Sequence, residues 1–168
     1  GVEIQGMGAT GLITYMRTDS LRVSDEAIKA GRDYILSRFG KEFLPSKPKV
    51  YKTKKGAQDA HEAIRPTNVN ITPDVAAASL SGDILKLYKL IWERFVASQM
   101  ESAELNTVNA DFDCAGYTFR ASGYSVAFQG YMAVYEQSEE ESNRSADDLT
   151  EVKDIRLPEL SQGQALKA

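Results

Sequence analysis

The sequence predicts an α+β protein: a mainly helical, helix-turn-helix-like domain over residues 1–100, followed by part of an antiparallel β domain over residues 101–168. Two observations carry this prediction. Apolar residues recur at helical spacing up to about residue 100, then alternate with polar ones after Leu105. Charge divides at the same place. Residues 1–100 hold 15 Lys and Arg against 11 Asp and Glu, net +4, whereas residues 101–168 hold 5 against 13, net −8.

Taken in order, Gly6, Gly8 and Gly11 make the first stretch loop-like. Leu12-Ile13-Thr14-Tyr15 is β-branched and aromatic and predicts a short strand. Ser24 has the character of a helix N-cap, with Asp25 and Glu26 in the first turn, where the helix dipole favours anions. Ala27, Ile28, Gly31, Ile35 and Phe39 follow at helical spacing, so a helix is predicted over about 24–39, with Gly40 as an αL C-cap. Residues 41–57 contain Pro45, Pro48, Gly56 and six lysines, Lys54 and Lys55 among them, which predicts an exposed basic loop.

Gln58 to Ile64 is compatible with a short helix that Pro66 ends by forcing Arg65 out of helical geometry. Thr72-Pro73-Asp74 places a cap, a proline at the first helical position and an acid behind it, and predicts a helix to about Leu80. Ser81-Gly82 breaks that helix, and the stripe Ile84, Leu87, Tyr88, Ile91, Phe95 and Val96 predicts a longer one to about Met100. Beyond it, Val108, Ala110, Phe112 and Cys114 alternate with polar residues, as do Tyr117, Phe119 and Ala121 across Ala115-Gly116, which predicts a β-hairpin, with a further strand at Ser125–Phe128. Residues 137–151 are rich in Ser, Glu and Asp and predict a disordered linker. Ile155 to Leu160 has the character of an edge of an unfinished β-unit.

Composition excludes several classes. No run of 18 apolar residues exists, so no membrane span is expected. Cys114 is the only cysteine, which leaves no disulfide framework and no cysteine-based zinc site, in keeping with a cytoplasmic protein. The overall net charge of −4 hides a basic first part suited to a polyanion. The chain opens at Gly1-Val2 and stops at Lys167-Ala168 inside an apolar stretch, so an internal piece of a longer protein is expected.

The residues richest in chemistry are Gly11-Leu-Ile-Thr-Tyr-Met-Arg-Thr-Asp-Ser20. On an extended segment Tyr15 and Arg17 point to one face and Met16 to the other, toward a core. A phenol can attack a phosphodiester and hold it as a phosphotyrosine, and a guanidinium fork can stabilise charge on the phosphate oxygens. Phenols ionise near 10, so only about one in a thousand is a phenolate at neutral pH, and a cation or a base must help. Arg17 offers the cation; no residue of the sequence stands out as the base. By spacing alone the pair also fits an ordinary half-buried strand tyrosine beside a surface cation.

His61, the only histidine, lies in Gln58-Asp-Ala-His-Glu-Ala-Ile-Arg-Pro-Thr67. It can donate to a phosphate or trade a proton near neutral pH. A lone histidine is more often a satisfied surface residue, and no second His or Cys stands four residues on to make a zinc site. The lysine loop can touch a DNA backbone, although a solvated face is the commoner role for such a loop. Tyr88 and Trp92, one helical turn apart, continue the apolar stripe and are expected in the core rather than in base stacking. Asp111-Phe-Asp113 alternates as the solvent face of a strand and is not a metal site.

The Gly11–Ser20 segment resembles the active-site motif of type IA DNA topoisomerases, and Met16 resembles the bacterial topoisomerase I branch. Ala60-His-Glu-Ala-Ile-Arg-Pro66 resembles the family's second signature. Leu87–Met100, Tyr117–Gly123 and Leu157–Leu160 with Gly163 are similar to it as well, so the likeness spans nearly the whole chain.

The resemblance implies a tyrosine-bearing helical domain joined to part of a β gate domain. Tyr15 is then the nucleophile, linked transiently to a DNA 5′-phosphate, and Arg17 contacts the scissile phosphate. His61 supports binding and cleavage. Arg65 contacts DNA or braces its loop, and Lys54 and Lys55 are candidate backbone contacts. It further implies ATP-independent single-strand breakage, strand passage and religation that relax negative supercoils. Mg²⁺ would be held by a Toprim domain outside this chain. The partner is DNA, especially single-stranded segments, and the protein is a nucleoid-associated monomer. This piece alone is expected to be inactive. A different class of function, a non-catalytic DNA-binding module of helix-turn-helix type, also suits the short helices and basic first part. A third, a structural gate element with a core tyrosine, requires a protected phenol.

Overall fold

In a computed structural model, residues 1–4, 6–51, 61–135 and 155–165 are described. The chain forms two compact units, Gly1–Glu101 and Ser102–Ala168. The architecture is α+β. Lys54, Lys55, most of the lysine-rich loop's second half and the acidic segment 137–151 lie outside the described residues.

The first unit opens with a small antiparallel hairpin, β1 (Val2–Ile4) and β2 (Gly8–Thr10), registered Val2 to Thr10 and Ile4 to Gly8. This corrects the loop expected there. The glycines serve the turn, since Gly6 and Gly8 have φ of 81° and 66°, a region costly for other residues. Helix α1 (Asp25–Arg38) starts where the sequence indicates, with Ser24 Oγ accepting from the Ala27 N–H at 3.4 Å. Gly40 has a positive φ of 104°, but its ψ of 172° is not αL; the residue instead leads into a 3₁₀ turn, Lys41–Phe43. The basic loop is tethered by hydrogen bonds that include Arg32 Nη2 donating to Pro45 O at 2.9 Å, Tyr51 Oη to Ser98 O at 2.7 Å and Glu101 N–H to Phe43 O at 2.8 Å.

Helix α2 (Pro73–Ala76) is capped by Thr72 Oγ, which accepts from the Val75 N–H. It is shorter than expected and continues to Leu80 only as turns. Helix α3 (Gly82–Gln99) follows the predicted stripe. Gly31 of α1 permits close approach to α3, since a Cβ there would stand 3.3 Å from the Phe95 ring. Ile35, Ile71, Val96 and Met100 are fully buried. Tyr88 and Trp92 are core residues, and each uses its polar end: Tyr88 Oη donates to Ile71 O at 2.6 Å and Trp92 Nε1 to Val69 O at 2.9 Å. Those two bonds pin the segment that follows His61 onto α3.

The second unit is dominated by one long hairpin, β3 (Glu104–Cys114) and β4 (Tyr117–Phe128). Ala115 and Gly116 both have positive φ, 51° and 82°, as a tight two-residue turn between right-twisted strands requires. The sequence suggested separate strands ending near Ala121 and beginning at Ser125; β4 instead runs continuously through Gly123. The glycine makes room for a neighbour rather than breaking the strand, because a Cβ there would lie 2.5 Å from Ile155 O. Ile155 adds a single bridge, with Tyr124 N–H donating to its carbonyl at 2.7 Å.

Candidate active site

Two predicted local structures are overturned at the site. The expected strand at Leu12–Tyr15 is reduced to one antiparallel bridge, Ile13 with Pro66. Thr14 N–H donates to Arg65 O at 2.9 Å and Thr67 N–H to Leu12 O at 3.0 Å. These bonds flank Pro66, whose nitrogen carries no hydrogen, so the proline falls at the pair that needs no donor from it. The helix expected over Gln58–Ile64 is absent from its described part, residues 61–64, which runs irregularly alongside the tyrosine segment. The reason is tertiary: backbone groups of this stretch are engaged across the chain rather than along it. Ala63 N–H donates to Arg22 O at 2.8 Å, and Thr14 Oγ donates to Ala63 O at 2.8 Å while accepting from the Arg65 N–H at 3.0 Å. Thr67 Oγ donates to Gly11 O at 2.6 Å.

The tyrosine is not on an extended segment. Arg17 N–H donates back to Tyr15 O at 2.9 Å, closing a three-residue turn about Met16. The turn leaves Tyr15 74% and Met16 76% exposed, so Met16 does not enter the core as strand alternation required. It nevertheless brings the expected pair together: the Arg17 guanidinium carbon lies 5.6 Å from the centre of the Tyr15 ring.

His61 sits on the opposing segment and is held at both ends by residues just after Arg17. Its Nδ1 is 2.9 Å from Asp19 Oδ2, and its carbonyl accepts from Ser20 Oγ at 2.7 Å. Ser20 is buried and also accepts from the Arg22 N–H at 3.2 Å. The bond to His61, with the fields of His61 and Arg17, holds the Asp19 carboxyl below the usual carboxylate range. Asp19 and Ser20 escaped the reading of the sequence as site residues. The available signal was that Asp19 is the only acid between Glu3 and Asp25, two residues from Arg17.

Arg65 is turned inward. It donates through Nε and Nη2 to Glu62 Oε2 at 3.1 and 2.7 Å, through Nη1 to Pro66 O at 3.1 Å and through Nη2 to Ser24 Oγ at 3.4 Å. It thereby joins the histidine segment to the N-cap of α1, beside a cleft of about 210 Å³ that Arg65, Thr67 and Asn68 line with the first turn of α1. The arrangement is an exposed phenol next to a cation, on a loop cross-linked by hydrogen bonds to a histidine segment that α3 anchors.

Among the described residues no three His, Cys, Asp or Glu side chains converge to hold a metal. Asp111 is occupied by Arg120, at 2.7 and 2.8 Å, and Asp113 accepts from Thr118 Oγ at 2.8 Å. Among the described residues no helix is long and apolar enough to cross a membrane.

Comparison with known proteins gives concordant matches. A family model described as DNA topoisomerase matches residues 4–168. DNA topoisomerase 1 of Campylobacter jejuni is 47% identical over 161 residues, covering 95% of this chain and 21% of that protein. The full-length topoisomerase I structure from Thermotoga maritima superposes with a TM-score of 0.65 at 38% identity, covering 80% of this chain and 21% of that one. This chain thus spans about a fifth of the length of either relative. With the tyrosine and histidine segments both inside the matched region, the chain belongs to the bacterial type IA DNA topoisomerase I family.

Proposed function

We propose that this chain supplies the nucleophile of an ATP-independent DNA topoisomerase that breaks one strand, passes another and religates, relaxing negative supercoils. The observation that carries the reading is an exposed Tyr15 phenol beside Arg17, on a segment bonded to the loop of His61. The phenol oxygen attacks the phosphorus of one phosphodiester. The bond to the 3′-oxygen breaks, and that oxygen takes up a proton. A 5′-phosphotyrosyl ester and a free 3′-OH result, while the phenol proton passes to a base elsewhere in the parent protein. Ester exchange conserves the phosphoester bond, so religation by the 3′-OH needs no nucleotide.

Arg17 has a donor fork suited to the charge that grows on the phosphate oxygens, and His61 meets the backbone near it. Arg65 acts as a brace, since Nε, Nη1 and Nη2 all donate inside the protein. Lys54 and Lys55 add backbone contacts. A Toprim domain elsewhere in the parent binds Mg²⁺, and the 168 residues alone do not relax DNA. The substrate is DNA held single-stranded, and the parent acts as a cytoplasmic, nucleoid-associated monomer.

The test uses the full-length parent with Mg²⁺ and end-labelled single-stranded DNA, quenched with denaturant. A covalent adduct through the 5′-phosphate, lost in Tyr15→Phe, is expected. An adduct that persists in the variant, or none from a folded parent that binds DNA, overturns the reading in favour of a binding module.

A further inference from the structure

We propose that Asp19 is a positioning residue for His61: its carboxylate holds the Nδ1–H of the ring, so that Nε2 is the nitrogen presented to the DNA phosphate. The inference rests on the reading of Tyr15 as nucleophile.

The geometry is specific. Asp19 Oδ2 lies 2.9 Å from Nδ1, inside charge-assisted hydrogen-bond range. A carboxylate accepts only, so Nδ1 must carry the proton in this contact. In the neutral ring that leaves Nε2 an acceptor aimed outward; a phosphate oxygen only accepts, so the contact with it is made when Nε2 also carries a proton and both nitrogens donate. The ring nitrogens stand across the five-membered ring from each other, so a fixed Nδ1 fixes the outward direction of Nε2. The side chain of His61 is 21% exposed, enough for one edge to reach a ligand. Ser20 then locks the main chain of the same histidine through its carbonyl, so two consecutive residues fix both its ring and its backbone.

The surrounding charges leave Asp19 to this task. Arg17 reaches it only through its field, and the nearby Glu62 is taken by Arg65. Lys52, Lys54, Lys55 and Asp59 lie outside the described residues. Asp19 also carries negative charge close to where a polyanion must approach. A residue present for affinity would have the opposite sign, which separates a positioning role from DNA attraction.

The test compares Asp19→Ala and Asp19→Asn with the unaltered sequence. In the full-length parent, Asp19→Ala is expected to slow single-turnover cleavage about 10- to 100-fold, the worth of one hydrogen bond to a charged group, while DNA affinity holds or rises. Asp19→Asn keeps an acceptor oxygen and is expected to retain more cleavage than Asp19→Ala. Ring ¹⁵N shifts of His61, the only histidine of this chain, are expected to report the Nδ1–H tautomer, and to lose that preference in Asp19→Ala. Unchanged cleavage and unchanged ring shifts in a folded Asp19→Ala variant overturn the proposal. So does a parallel fall in affinity and cleavage. Loss of the Tyr15 adduct requirement would instead sink the functional reading while leaving the tautomer measurement intact.

Discussion

At the residue scale the site is built from short-range chemistry that single substitutions can separate. Tyr15 and Arg17 meet because Arg17 N–H bonds back to Tyr15 O, not because they share a strand face. In the parent, Arg17→Ala is therefore expected to leave the phenol exposed and the fold intact, while cleavage falls about 10²- to 10³-fold, as when a donor to a transition-state oxyanion is removed. Single-turnover cleavage and circular dichroism read the two parts. The Tyr15–Arg17 pairing was legible in the sequence through the resemblance of Gly11–Ser20 to a known motif, since the spacing alone equally suits an ordinary strand tyrosine beside a surface cation. The contacts of Asp19, Ser20 and Arg65 were not, because each reaches residues about 40 positions away or a cap on another element.

At the element scale, helix ends and loop anchors carry the positioning. Ser24 caps α1 and also accepts from Arg65, so it serves the helix and the histidine segment together. Ser24→Ala is expected to destabilise the chain by about 1 kcal/mol, read as a shift of the urea midpoint. Tyr88→Phe removes the donor to Ile71 O and is expected to cost about 1 kcal/mol, with faster amide exchange in the loop after His61. In the hairpin, Gly123→Ala must displace the Ile155 carbonyl, and loss of amide protection at Tyr124 is the expected signature. Helix α1 was legible from its Ser24 cap and apolar spacing, and α3 from its apolar stripe, all local signals. The segment 61–64 was not: its side-chain pattern suits a turn of helix, yet its backbone bonds go to Arg22 and Thr14.

At the scale of the whole molecule, two units of opposite charge balance stand in one chain that spans about a fifth of its relatives' length. Core integrity in the first unit has a pH signature. Burial pushes the Tyr88 phenol up to about 12 from its ordinary 10.0, which means the folded state prefers the neutral form. That contribution is complete below pH 10 and is lost as pH rises from about 10 to about 12. Alkaline unfolding followed by Trp92 fluorescence is expected to begin in this window and to move upward in Tyr88→Phe. Plasmid relaxation by these 168 residues alone, abolished by Tyr15→Phe, would contradict the assignment of the remaining machinery to other parts of the parent.

Local signals in the sequence determined the α+β class, the two longer helices, the Ala115-Gly116 hairpin turn and the identity of the chemically loaded segments. Those features depend on caps, periodicity and turn residues within about ten positions of one another. The tertiary structure alone decided that the tyrosine segment turns rather than extends, that residues 61–64 run irregularly, and that Asp19 and Arg65 face His61 and Glu62. The physical reason is that the bonds holding residues 61–64, Asp19 and Ser20 run to partners about 40 positions away, which no local pattern of residues encodes, while the turn at Met16 closes on one short backbone bond.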